Sequence, residues 1–172
     1  MGERARFLAA LERRGLLGAC GRTRYGEPAW RATLPGHEPQ ALMEASVAQR
    51  NIVACAHATG ALEGDYCAGW VEDVFAAYGI CTTCADAREL YERYCRFEDT
   101  TELKVGMVVA VPRAPYTVAA ARYGHVGLYI GDALIMDCAC GKVRTLPLEL
   151  WLSNYGVEDP PRWGWLGDIV LG

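Results

Sequence analysis

The apolar pattern of this chain changes period once, near residue 100, and that change limits the possible folds more than any other feature. Between residues 40 and 97 the pattern is helical. QALMEASVAQRNIVACAHAT, residues 40 to 59, is rich in Ala and closed by Gly60. A second helix is expected from about Tyr66 to the stop at Gly79, and a third over residues 84 to 97. Beyond that point the β-branched and alternating residues of LKVGMVVAVP, YGHVGLYIG, ALIMDCAC and GKVRTLPL predict four strands. Turns at Gly131-Asp132 and Cys140-Gly141 join the last three. LPLELWLSNYG reads as a short helix and PRWGWLGDIVL as a closing strand. Helices first and an antiparallel sheet afterwards predict an α+β fold.

Residues 3 to 17 read as an amphipathic helix, and residues 18 to 39, punctuated by Gly and Pro, as a loop. The chain therefore divides into an N-terminal appendage, 1 to 39, and a main domain, 40 to 172. With 172 residues, 52% of them apolar and 22% charged, a packed core is affordable. Net charge is −4 and no basic stripe is present, which argues against nucleic acid as a partner. No apolar run is long enough to span a bilayer. Glu12, Arg13 and Arg14 interrupt the N-terminal apolar residues, so no export signal is expected. The expectation is a monomer that is cytoplasmic until released, or a fragment of an exported protein.

Among eight cysteines, Cys67 stands apart because it opens a helix. The N–H groups and dipole of a helix start favour a thiolate, and the same amides can receive a developing oxyanion. Of three histidines, His37 lies in the Gly/Pro segment and His57 in a helix, whereas His125 opens a strand. A strand opening packed against a helix start lets a base meet a thiol. Asp137 follows His125 by twelve residues, and a turn centred near Gly131 would set the two opposite each other as base and orienting group.

DYCAGWVEDVF, residues 65 to 75, resembles the nucleophile segment of the NlpC/P60 and CHAP superfamily, and YGHVGLYIG-DALIMD resembles its base-bearing hairpin. LKVGMVVAVP resembles the strand before that hairpin. The resemblance covers roughly residues 45 to 150. It implies a papain-like core and hydrolysis of peptidoglycan amides, either between sugar and L-Ala or within the stem peptide. It implies no cofactor. Carried over, Cys67 is the nucleophile, His125 the general base and Asp137 the orienting group. Asp65, Tyr66, Ala68 and Gly124 become the oxyanion and substrate-binding positions. The pattern has Asp directly before Cys and often Ser after it. Here Tyr66 and Ala68 occupy those places and Asp65 stands one residue back, which favours a CHAP-like reading over a stem-peptide endopeptidase.

Other readings stay open at this level. A papain-like toxin or acyltransferase would use the same centre on a different amide. Cys81-x-x-Cys84 and Cys138-x-Cys140 have the spacing of a thiolate zinc clasp in a non-catalytic binding module. The five tryptophans suit either a glycan cleft or the core.

Overall fold

The structure, a computed structural model, describes residues 17–22, 28–32, 40–62, 64 and 66–172. Within the segment expected to be a loop, β1 (Leu17–Arg22) and β2 (Pro28–Ala32) form an antiparallel hairpin. The loop-forming residues occupy places that a strand tolerates. Pro28 is the first residue of β2, and the pairing shifts between Ala19 and Arg22, the stretch that contains Gly21. The helix expected over residues 3 to 17 lies outside the described residues, apart from Leu17.

The helix expected over 40 to 59 is two helices, α1 (Gln40–Glu44) and α2 (Val47–Ala58). Ser46 causes the break. Its Oγ accepts from the Gln49 amide at 3.1 Å, and Gln49 Oε1 accepts from the Ser46 amide at 2.8 Å. This reciprocal capping box starts a new helix in mid-run. Gln49 Nε2 also donates to the Val105 carbonyl at 2.9 Å, which ties α2 to the approach of the sheet. Next come α3 (Cys67–Ala77) and α4 (Ala87–Tyr94). The latter is shorter than the expected 84 to 97 because Asp86 caps it, accepting from the Glu89 amide at 2.9 Å.

The sheet has five strands in the order β6-β5-β4-β3-β7, every neighbouring pair antiparallel. They are β3 (Val108–Val111), β4 (His125–Gly131), β5 (Leu134–Ala139), β6 (Lys142–Pro147) and β7 (Arg162–Gly164). Helix α5 (Val118–Tyr123) lies between β3 and β4. Helix α6 (Leu148–Tyr155) follows β6 directly. Val108 to Val111 are all buried, so both faces of the sheet are covered at β3. Helix α3 packs on β4 and β5, α4 on β3 and β4, and α6 on β5 and β6. Trp70, Val71, Val74 and Phe75 of α3 are fully buried in this contact. Each such side chain contributes roughly 1.5–3 kcal/mol of burial.

The β4–β5 turn falls one residue later than expected. Asp132 and Ala133 adopt φ of +44° and +57°, and Gly131 is the irregular residue before them. The shift pairs Asp137 with Gly127 rather than with His125. His125 and Asp137 are thus diagonal neighbours on one face, and the residue between them has no side chain. The Cys140-Gly141 turn falls where expected, with φ of +51° and +68°, and it pairs Asp137 with Arg144. Asp132 also serves α1 as a cap, accepting from the amides of Gln40 and Ala41.

Gly124 joins α5 to β4 with φ +78° and ψ −165°, a region open only to glycine. A Cβ there would lie 2.2 Å from the Val111 carbonyl oxygen and 3.0 Å from the Pro112 carbonyl carbon. Gly124→Ala is therefore expected to cost roughly 2 kcal/mol or more. Gly60→Ala, whose Cβ would meet nothing within 4 Å, should stay within about 0.5 kcal/mol. Urea denaturation of the two variants checks this, and equal stability would remove the packing argument.

Candidate active site

Cys67 is the first residue of α3 and is 7% exposed. Tyr66 is the N-cap, and its side chain makes no capping hydrogen bond. It is exposed instead. Asp65, which the resemblance made an oxyanion or substrate-binding position, lies outside the described residues. Ala68 is buried in the core. The first amides of a helix have no partner within it, so those of α3 emerge beside the sulfur.

The fold brings His125 and Asp137 to this helix start. His125 opens β4, and its ring lies close enough to the Cys67 thiol for the two to interact electrostatically. On its other side, Nε2 donates to Asp137 Oδ2 at 2.8 Å. That bond leaves Nδ1 as the nitrogen available to the thiol. Gly124 fixes where the histidine leaves α5, and Gly127 leaves the space opposite Asp137 free of a side chain.

Asp137 is completely buried and accepts from three residues. Besides His125, Arg144 grips it with two bonds, Nε to Oδ1 at 2.8 Å and Nη2 to Oδ2 at 2.6 Å. Trp151 Nε1 donates to Oδ2 at 3.1 Å. Arg144 Nη2 also donates to the Tyr155 hydroxyl at 2.8 Å. The Tyr155 ring stacks on the His125 imidazole, centroids 4.2 Å apart and planes at 29°, with Trp151 at 5.8 Å.

Neither Arg144 nor Tyr155 was anticipated from sequence, although the correctly expected Cys140-Gly141 turn already places Arg144 opposite Asp137. Trp151 belongs to this buried cluster and not to a glycan cleft. Trp70, Trp163 and Trp165 are buried as well. The side chain of Trp30 lies outside the described residues, as does His37, and His57 is exposed on α2.

The electrostatics follow from these contacts. Burial by itself would raise the Asp137 pKa, but the Arg144 charge and the bonds from His125 and Arg144 outweigh it. The carboxyl is held well below the usual range. Burial likewise disfavours a charged His125. The ionisable Tyr155 and Cys67, with the hydrogen bond to Asp137, prevail and hold the imidazole well above its ordinary value. Other thiols are pushed the opposite way from a nucleophile. Burial raises Cys138 and Cys84 and takes Cys95 up to about 12.

Among the described side chains, Cys55, Cys67, Cys81, Cys84, Cys95 and Cys138 are free thiols. Among the described residues no three His, Cys, Asp or Glu side chains gather to hold a metal ion. Cys81 and Cys84 lie in the segment between α3 and α4, whereas Cys138 lies on β5 and Cys140 in the β5–β6 turn. Among those residues no helix is long and apolar enough to cross a membrane.

No family model matches the sequence, and no curated protein is similar to it. Solved structures do match. A Staphylococcus aureus protein described as similar to lipoprotein, NLP/P60 family, superposes with a TM-score of 0.51 at 15% identity, over 67% of this chain and 40% of its own. NlpC2 from Trichomonas vaginalis superposes with a TM-score of 0.50 at 11% identity, over 80% of this chain and 51% of its own. The chain thus spans about half or less of each relative's length. With its helices packed on a five-stranded antiparallel sheet, this chain has the fold of the NlpC/P60 family.

Proposed function

We propose that the protein is a cysteine hydrolase that cleaves amide bonds of peptidoglycan, as an N-acetylmuramoyl-L-alanine amidase or a stem-peptide endopeptidase. The observation that carries the chemistry is the Cys67 thiol at a helix start, beside an imidazole that is bonded to a buried carboxylate. The substrate class rests on the resemblance of DYCAGWVEDVF and GHVGLYIG to the NlpC/P60 and CHAP segments.

In this reading His125 Nδ1 takes the thiol proton and Cys67 Sγ attacks the substrate carbonyl carbon. The amides at the start of α3, those of Cys67 and Ala68, receive the oxyanion. His125 then gives its proton to the leaving amine as the C–N bond breaks and a thioester remains. Water attacks the thioester, His125 accepts its proton, and the thiol leaves as the product carboxylate is released. Asp137 stays ionised throughout and holds the imidazole in plane. Tyr66, exposed beside the sulfur, contacts the substrate, and Gly124 acts by positioning His125.

Incubation of bacterial sacculi with wild type should release soluble fragments whose new termini identify the bond. Cys67→Ala should lower that release by about 10³-fold or more while leaving the fold intact. Turnover by the alanine variant would refute the nucleophile. Fragments from neither protein, with Cys67 still alkylating rapidly at neutral pH, would refute the substrate class alone. Cleavage of a lipid or protein amide by the same centre would then favour the acyltransferase or toxin reading.

The ionisation of the site also predicts a pH profile of stability. Asp137 contributes above the ordinary carboxylate pKa of about 3.9, and its share is lost as pH falls toward its depressed value. His125 contributes fully below the ordinary imidazole value of about 6.5, and its share is lost as pH rises through its elevated value. Unfolding free energy should therefore decline from pH 6 to pH 9 in wild type and decline less in His125→Gln. Parallel curves in urea titrations would contradict the raised imidazole.

A further inference from the structure

The Cys67–His125–Asp137 reading leaves one half-buried cation, Arg144, without a role. Arg144 stands on β6, and its side chain is 24% exposed. It donates twice to Asp137 and once to Tyr155, two of the three groups besides the nucleophile that constrain the His125 ring, Trp151 being the third. A carboxylate with no exposed surface needs a cation. With the imidazolium as its only one, it would hold that ring's proton too tightly. A planar guanidinium engaged through two parallel bonds also fixes the plane of the carboxylate, which a flexible ammonium does not.

We propose that Arg144 is a positioning residue of this centre: its guanidinium clamps the Asp137 carboxylate and the Tyr155 hydroxyl, fixing the orientation and the charge environment of the His125 imidazole. The inference rests on the Cys67–His125 reading. It adds a fourth charge to an alternating series running from Arg144 through Asp137 and His125 to Cys67. The hydrogen bonds of Arg144 go to Asp137 and Tyr155, so it acts on the sulfur through the His125 ring. The titratable groups facing the imidazole and its neighbours are Cys67 on α3, Asp137 and Cys138 on β5, Arg144 on β6 and Tyr155 on α6. Arg144 is the cation of the set besides His125 itself. Removing it makes the remaining pair bind protons more tightly, by Coulomb attraction.

The test uses the full chain and needs no peptidoglycan. The rate of Cys67 alkylation by iodoacetamide is followed against pH, with the Cys67 peptide quantified by mass spectrometry. In Arg144→Gln the acid limb should move to higher pH by roughly one unit, which makes alkylation about tenfold slower at a fixed pH on that limb. Arg144→Lys keeps the charge without the planar fork. It should keep the limb near its wild-type position but lower the plateau rate. An Arg144→Gln limb that is unmoved, or moves to lower pH, overturns the proposal. If circular dichroism shows that Arg144→Gln does not fold, Arg144→Lys decides. A lysine variant that matches wild type in limb and plateau, or whose limb moves by a unit, overturns it as well. Slow alkylation of wild-type Cys67 at neutral pH would instead fell the nucleophile assignment, and it would do so before any Arg144 variant was compared.

Discussion

Much of the second half of this protein is organised around one buried anion. Asp137 has no exposed surface, and donors from three elements converge on it: His125 of β4, Arg144 of β6 and Trp151 of α6. A carboxylate in the interior is tolerated only when its charge is met and its oxygens are bonded. That requirement links the position of the sheet's edge strand, the docking of α6 and the orientation of the imidazole. The cost of burying the charge and the precision of the His125 ring are thus two sides of one arrangement.

The scaffold around this anion is set by backbone constraints that need no side-chain chemistry. Gly124 brings α5 into β4 through a conformation and a closeness of approach that a Cβ forbids, and the next residue is His125. Gly127 leaves the position opposite Asp137 empty. Two tight turns with positive φ, at Asp132-Ala133 and Cys140-Gly141, set the registers that deliver Asp137 to His125 on one side and to Arg144 on the other. On the facing layer, α3 is held to the sheet by the burial of Trp70, Val71, Val74 and Phe75. Its first residue is thereby presented to the imidazole.

Most of the elements were legible in the chain because their signals are local. The switch from helical to alternating periodicity marks the α+β order, Gly79 ends α3, and the Cys140-Gly141 turn lies where expected. The misreadings have local causes too. Ser46 restarts a helix inside a continuous helical run because its capping bonds with Gln49 are stronger than the run's Ala-rich propensity suggests. Pro28 and the glycines of residues 18–22 suggested a loop, yet the proline opens a strand and the pairing absorbs an irregularity there. The β4–β5 turn was displaced by one residue, and each residue of displacement moves cross-strand partners by two. His125 and Asp137 therefore meet diagonally, not directly.

The sequence by itself determined the class of fold, the helix that Cys67 opens, the strand that His125 opens and the hairpin that carries Asp137. These follow from periodicity, turn residues and capping, which act over a few positions along the chain. Only the tertiary structure decided that Arg144, Tyr155 and Trp151 enclose the carboxylate and the imidazole. It also decided that Cys67, separated from His125 by 58 residues (125 minus 67), meets that ring. Such contacts depend on how a helix packs on a sheet and on the need of a buried charge for partners. Neither is written in the spacing of any single segment.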